Sequence, residues 1–454
     1  LLPLSKTYYF HFGNSDFSFV PWNGCRAWHR LPSGPPEPAP KNGAAIETGS
    51  GIQFRDEDRG AGRYRQEQFC SAVFAIRMST REKHPMTVID LDSHLREEYV
   101  MDEVYKLSGE FADKTPKRVS EGKHPIDTKF EYAFFPWTKK EEKAYNHDWV
   151  YHPEKGYMDG EMAARQVGGY DMATRVKHNA KAGVDKQLIF PTGISNAAQA
   201  PGPLGGALAR AYNTWVYNLC KDYPGVLYPI GVVPAGYPEG MAAEAEHCVK
   251  TLGFQALHMA CFTGDMTVDD VAYEPFYAMV EKLGVPLFAH PNSRGPSQSK
   301  FKTFTQIHAL GRPFNSCMTL IGMVLGGVFD RYPGLKVVFF ECSAEFPLYW
   351  MHRMDDDHKF TDGDIFKEHG MGQIEHLPSY YMKKNCFYTC ESDEKWLGRS
   401  MEEMGEDRIL FASDYPHFDS EYPNTVPDLK ARTDLSAMQK EKLLGKNAEE
   451  LLGW

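Results

Sequence analysis

Eight short apolar runs, rich in β-branched and aromatic residues, recur from residue 86 onward: 87–91, 186–190, 226–233, 254–258, 285–289, 335–340, 385–389 and 408–412. Stretches with helical spacing of apolar residues separate most of them, at 203–221, 240–252, 273–283 and 313–329. A strand covered on both faces reads as a continuous apolar run, and intervening helices supply the crossovers that parallel pairing needs. Eight such units predict an α/β chain closed into a (β/α)8 TIM barrel rather than an open sheet. The 369 residues from 86 to 454 exceed the roughly 250 typical of such barrels, leaving room for insertions. The largest follows the first strand, at 95–165, and carries the aromatic run Phe130-Glu131-Tyr132-Ala133-Phe134-Phe135-Pro136-Trp137. On the catalytic side of a barrel such a segment serves as a lid or as a dimer contact, and the sequence leaves both open.

Residues 1–85 break the pattern. They include Pro35-Pro36-Glu37-Pro38-Ala39-Pro40, show no clear period and have none of the parts of a signal peptide. The first methionines are Met78 and Met86, so translation is expected to begin at one of them, with residues 1–77 as upstream sequence. A flexible native extension is the competing reading, and no chemistry is assigned there. The net charge of −11 and the lack of a basic run argue against a nucleic-acid partner. No stretch approaches the ~20 apolar residues that span a bilayer. Nine cysteines, scattered without paired zinc-type spacing, fit free buried thiols in a reducing cytoplasm.

In a barrel of this kind the working residues end the strands. The first strand ends in Asp90-Leu91-Asp92-Ser93-His94. Alternation points Asp92 and His94 the same way, so a carboxylate and an imidazole can chelate one ion; a turn-capping aspartate is the competing reading. His290 follows the fifth strand and is fixed by Pro291, as a ligand or a core histidine. Glu341 ends the apolar run of the sixth strand, a costly place for a carboxylate without a cation or a buried arginine. Asp414 ends the eighth, where it can bind metal or exchange a proton, and His417 follows three residues later as a further ligand or an ordinary loop histidine. This nitrogen- and carboxylate-rich set, without thiolate, favours a catalytic Zn, Mn or Fe ion.

Other residues near the mouth have more modest roles. His258 ends the predicted fourth strand and is either a substrate contact or a core histidine. Asn292 and Arg294 follow His290; Arg294 can pair with a substrate carboxylate or form a loop salt bridge. His308 is equally ambiguous. Glu97, one turn past His94, is a candidate for orienting it. Tyr349-Trp350 and Asp355-Asp356-Asp357 read as a helix and its solvated end.

Over residues 86–454 the chain resembles the amidohydrolase-related family, in its aminocarboxymuconate semialdehyde decarboxylase-like branch. The resemblance rests on Asp92-Ser93-His94-Leu95-Arg96-Glu97, His290-Pro291, the run from Phe329-Asp330-Arg331-Tyr332-Pro333-Gly334 to Phe339, Phe411-Ala412-Ser413-Asp414-Tyr415-Pro416-His417, and Lys446-Asn447-Ala448, in that order. It implies a metal-dependent hydrolase or decarboxylase of a small carboxylic or aromatic substrate, with Asp414 as proton shuttle and Glu341 as ligand or second base. It also implies a homodimer or a related hetero-oligomer. The chain departs from the family pattern in opening with Asp92 where the family has histidine or glutamate. Glu341 likewise stands where the decarboxylases carry a histidine. These departures resemble a subgroup of two-metal hydroxylases on the same barrel, which makes a Mn/Fe or Fe/Fe oxygenase the alternative and one or two ions the expected cofactor content. A non-catalytic partner subunit is the third reading, opposed by the full ligand set.

Overall fold

The first and last barrel strands meet through their backbones. The computed structural model describes residues 86–97, 100–115, 118–120, 129–130, 161–261, 263, 266–291, 304–361 and 374–454. Its barrel strands are β1 (Ile89–Asp90), β2 (Lys186–Ile189), β3 in two pieces (Leu227–Pro229 and Gly231–Val232), β4 (Leu257–Ala260), β5 (Leu287–His290), β6 (Val337–Phe339), β7 (Cys386–Cys390) and β8 (Ile409–Phe411). Each pairs in parallel with the next, the two pieces of β3 serving β2 and β4 respectively. The last seam is closed by Leu91 N donating to Phe411 O at 3.1 Å, Asp414 N to Asp92 O at 3.0 Å and His94 N to Tyr415 O at 2.6 Å. The predicted eight-stranded barrel therefore forms.

A helix follows each strand on the outside: α1 (Met172–Ala182), α2 (Pro203–Cys220), α3 (Pro238–Lys250), α4 (Glu274–Leu283), α5 (Arg312–Leu325), α6 (Phe346–Thr361), α7 (Leu397–Met404) and α8 (Thr425–Ala431). Local sequence sets their ends. Asp171 caps α1 by accepting from Thr174 N at 3.2 Å, and Gly183 terminates it at φ +76°. Proline near the first turn of α2, α3, α4 and α5 costs no helical hydrogen bond there. Tyr349, Trp350 and Asp355 to Asp357 lie on α6, as expected.

One predicted boundary differs in the structure. The fourth strand does not end at His258, because it runs from Leu257 to Ala260. Gly253 adopts φ +74° and Phe254 N donates back to Cys248 O at 3.0 Å, so the apolar residues from 254 continue the turn off α3. His258 consequently sits inside the strand, one layer below its mouth.

Of the insertion after β1, the described parts include a helix (Met101–Tyr105), an antiparallel pair (Arg118–Ser120 with Lys129–Phe130) and a helix (Glu161–Val167). The aromatic run 130–137 falls almost wholly outside the described residues, as do residues 1–85. Among the described residues no helix is long and apolar enough to cross a membrane, and all seven described cysteines are free and buried.

The barrel interior is filled by apolar side chains. Alternate strand residues such as Ile89, Leu188, Phe288, Val338 and Leu410 form one buried cluster. Its upper layer is aromatic: Phe190 packs on Phe340 and Phe288 with ring centroids 4.8 and 5.7 Å away. At the opposite end Trp454 lies on Tyr228, centroids 4.3 Å apart.

Candidate metal centre

Directly above that aromatic layer, the structure brings Asp92, His94, His290, Glu341, Asp414 and His417 together. Each is positioned by the end of its strand. Asp92 and His94 follow β1, where the buried Arg175 of α1 fixes the backbone by donating to the His94 carbonyl and, at 3.0 Å, to Ser93 Oγ and Gln187 Oε1. His94 Nδ1 meets the carbonyl of Pro191 at 3.0 Å, and His290 Nδ1 meets that of Pro291 at 3.1 Å. A carbonyl only accepts, so each Nδ1 carries the proton and each neutral ring keeps a lone pair on Nε2. Those two Nε2 atoms face each other at 3.1 Å.

The carboxylates complete the arrangement. Asp92 Oδ1 lies 3.2 Å from His94 Nε2 and Oδ2 lies 3.6 Å from His290 Nε2, yet both oxygens are buried without a hydrogen-bond partner. Glu341 Oε1, also buried, is 3.5 Å from His290 Nε2 and pairs with Arg312 Nη1 at 3.2 Å. Asp414 Oδ1 is 3.4 Å from His94 Nε2 and accepts from His417 Nδ1 at 2.7 Å. The His417 ring stacks on that of His94, centroids 4.2 Å apart. Two facing lone pairs beside the buried, unsatisfied carboxylate of Asp92 are costly unless a cation sits among them. The donor set fits a divalent transition ion. It divides into two overlapping groups, Asp92, His94, His290 and Glu341, and His94, Glu341, Asp414 and His417, with each group's ligand atoms within 4.8 Å of one another.

Backbone conformation marks the same place. Glu341 and Asp414 have φ of +49° and +52°, in the left-handed region that side chains other than glycine rarely adopt. Such strain costs about 1–3 kcal/mol per residue and clusters at functional sites. Electrostatics agrees: burial, then Glu341 and Asp92, push the Asp414 carboxyl well up. Burial pulls His417 down, helped by His94. Burial opposes charge on both Asp92 and His290, but their mutual attraction, with His94 and Glu341, overrides it and holds Asp92 low and His290 high.

The remaining predicted residues divide. His258 is buried with its ring 6.0 Å from that of His290 and 5.8 Å from Phe190, beneath the ligand set. Asn292 and Arg294 lie outside the described residues. His308 pairs with Asp419 at 2.7 Å. The Glu97 carboxylate accepts from the backbone of Thr192, Gly193 and Ile194 at 2.8, 2.6 and 2.9 Å, so it shapes the loop that carries Pro191. Its hold on His94 is therefore indirect, through that loop.

Three residues escaped the sequence reading. Arg312, at the start of α5, reaches Glu341 Oε1 with Nη1 at 3.2 Å. Asp419 lies 3.9 Å from the same nitrogen. Glu391 directly follows β7 and lines a small cavity with Asp92, Glu341 and Asp414. Burial, then Glu394 and Asp419, raise its carboxyl to about 8. Its place after a buried strand was the available signal; the contacts of Arg312 and Asp419 depend on folding.

This fold and this donor set define a barrel enzyme of the metal-dependent class. The family model described as amidohydrolase matches residues 171–454, and the chain belongs to the amidohydrolase family. Among curated relatives, 2-amino-3-carboxymuconate-6-semialdehyde decarboxylase of Dictyostelium discoideum is 26% identical over 296 residues, 63% of this chain and 77% of the relative. Gamma-resorcylate decarboxylase of a Polaromonas species is 25% identical over 307 residues, 61% and 86% of the two chains. Among solved structures, 5-carboxyvanillate decarboxylase of Novosphingobium aromaticivorans, complexed with manganese and 4-hydroxy-3-methoxy-5-nitrobenzoic acid, has a TM-score of 0.62 at 21% identity, covering 83% of this chain and 98% of that one. It shares the fold.

Proposed function

We propose that this protein is a metal-dependent carboxy-lyase that decarboxylates a small aromatic or related carboxylic acid. The observation that carries the reading is the pair of lone-pair nitrogens on His94 and His290, 3.1 Å apart beside the unpartnered carboxylate of Asp92. The names of the curated relatives support the reaction class. Asp92, His94, His290 and Asp414 would hold the ion, with Glu341 completing the set. A divalent ion bound there acts as a Lewis acid toward a substrate oxygen.

The chain's own residues supply the rest. Loss of carbon dioxide leaves a carbon that must take up a proton. Asp414, beside His417 Nδ1 at 2.7 Å, is the chain's own group placed at the mouth to exchange that proton. The aromatic layer of Phe190, Phe288 and Phe340 keeps water from below. The test is to load the protein with manganese, quantify the metal, and follow carbon dioxide release from a panel of hydroxybenzoates and unsaturated dicarboxylic acids. Release that disappears on chelation is expected; full occupancy without release from any member would sink the reading.

One observation favours a second reading, a two-ion site. Six candidate ligands fall into two groups that share His94 and Glu341. Oxygenase chemistry at such a site rests on the sequence resemblance alone. Two ions per chain including iron, with substrate-dependent oxygen consumption, would replace the decarboxylase reading.

A further inference from the structure

Asp90 and Asp92 are both buried at the end of β1, but their carboxylates are used in opposite ways. Asp92 keeps both oxygens free of hydrogen bonds. Asp90 keeps neither. Its Oδ1 accepts from Ser413 N at 2.9 Å and from Asp92 N at 3.2 Å. Its Oδ2 accepts from Ser413 Oγ at 2.6 Å and from Gln187 Nε2 at 2.8 Å. These donors fill the roughly four lone-pair sites of a carboxylate, so Asp90 has none left for an ion.

The donors belong to the backbone that carries the ligands. Asp92 is itself a ligand candidate, and Ser413 directly precedes Asp414. Ser413 is pinned on both sides, because its carbonyl also accepts from Ser420 Oγ at 2.6 Å. The next residue, Asp414, donates its N–H to Asp92 O at 3.0 Å and holds φ at +52°. A residue persists in that region only where its surroundings over-determine it, and the pinned Ser413 supplies this from one side. Gln187 of β2 is fixed in turn. Its Oε1 accepts from Arg175 Nη1 at 3.0 Å, so its NH2 group must face Asp90. One carboxylate thus ties β1, β2 and β8 together at the seam where the barrel closes.

A metal centre needs Asp92 and Asp414 at one spacing, yet they arrive on the first and last strands of the barrel. Packing alone gives no reason for a carboxylate here, since burying one is expensive where an apolar side chain would fill the space. We propose that Asp90 is a positioning residue for the metal centre: by gripping Ser413 and the Asp92 backbone together, it sets the distance and orientation of the Asp92 and Asp414 carboxylates without touching the ion. Partners that orient ligands in this way are typically worth about 10- to 100-fold in metal affinity.

The proposal rests on the metal centre and not on the reaction performed there, and binding by the wild type tests the centre separately. Manganese affinity and the visible absorption of cobalt(II)-loaded protein, which reports coordination geometry, are measured for wild type, Asp90→Asn, Gln187→Glu and the double variant. Far-UV circular dichroism checks the fold of each. In Asp90→Asn the new amide turns an N–H toward the NH2 of Gln187, which cannot flip while Arg175 holds its oxygen. Manganese affinity should fall about 10- to 100-fold, with an altered cobalt spectrum. Gln187→Glu alone sets two carboxylates face to face and should also weaken binding. Combined, the two substitutions restore a donor facing an acceptor, so affinity should return to within about threefold of wild type, with the wild-type spectrum. A merely structural role would move stability and leave the cobalt bands unchanged. Wild-type affinity and spectrum in folded Asp90→Asn, or a loss that Gln187→Glu does not recover, would overturn the proposal. If Asp90→Asn does not fold, Ser413→Ala decides. It removes one bond of the clamp and should weaken manganese about 3- to 10-fold and shift the cobalt bands; no change in either sinks the proposal. A wild type that binds neither ion removes the metal centre itself, and the clamp with it.

Discussion

His94 and His290 present their Nε2 atoms to each other at 3.1 Å while each Nδ1 is committed to a proline carbonyl. A proton and a metal ion therefore compete for the same nitrogens. Glu341 and Asp92 outweigh burial and raise the pKa of His290 above its ordinary value. It keeps its proton to higher pH than a free histidine, which titrates near ~6.5. The expected outcome is metal affinity that climbs as pH rises through and above that region, by up to about tenfold per unit for each proton displaced. Calorimetry in buffers of different ionisation enthalpy measures the protons released; affinity flat across this range would contradict the assignment.

Asp92 has both oxygens buried and without hydrogen-bond partners, so its role is bound to the cation. Asp92→Ala should lower metal affinity by ~100-fold or more, beyond the 10–100-fold typical of losing a supporting partner. Far-UV circular dichroism should be unchanged. Chelation of the wild type should lower its stability by about 4 kcal/mol relative to protein held at 1,000 times its Kd for metal. Chelation without effect on the melting curve would argue against a resident ion.

Arg175 is fully buried, and its guanidinium serves the carbonyls of His94 and Gly168 together with Ser93 Oγ and Gln187 Oε1. Arg175→Met would strand these acceptors around the first ligand pair. We expect a loss of about 3–5 kcal/mol in urea unfolding, the size seen when one partner of a buried charged network is removed. A loss below 1 kcal/mol would mean that water replaces the guanidinium.

Glu391 has a carboxyl raised to about 8, first by burial and then by Glu394 and Asp419. It is neutral near pH 7 and ionises as pH rises through that value, adding charge to an acidic mouth. Turnover of an anionic substrate should fall above about pH 8 in the wild type. In Glu391→Gln that fall should be absent, with activity at pH 7 within about threefold. A pH profile identical in the two proteins would remove Glu391 from the mouth's electrostatics.

The barrel was legible because a strand covered on both faces must be apolar throughout, and runs such as Val337-Val338-Phe339-Phe340 admit few other folds. The six clustered residues were legible for a related reason. A carboxylate or imidazole at the end of such a run is conspicuous against it, as Glu341 and Asp414 are. What sequence could not carry was conformation and partnership. The positive φ values of Glu341 and Asp414 leave no mark at non-glycine positions. The apolar residues from Phe254 look like strand but belong to a turn, which misplaced His258 by a layer. Arg312 lies 29 residues before Glu341, at the start of an outer helix directly after a π-helical turn, and only folding brings it to Glu341.

The aromatic layer under the ligands has a kinetic consequence. Phe190, Phe288 and Phe340 fill the barrel below the site, so among the described residues the chamber has a floor and its traffic passes through the mouth. A reaction that makes two products there must release both by the way the substrate came in. On the proposed decarboxylation, carbon dioxide would slip past a retained ring, and the ring could not be replaced by fresh substrate until it had gone. The organic product should therefore compete directly with substrate, and its departure should be the last step of each turnover.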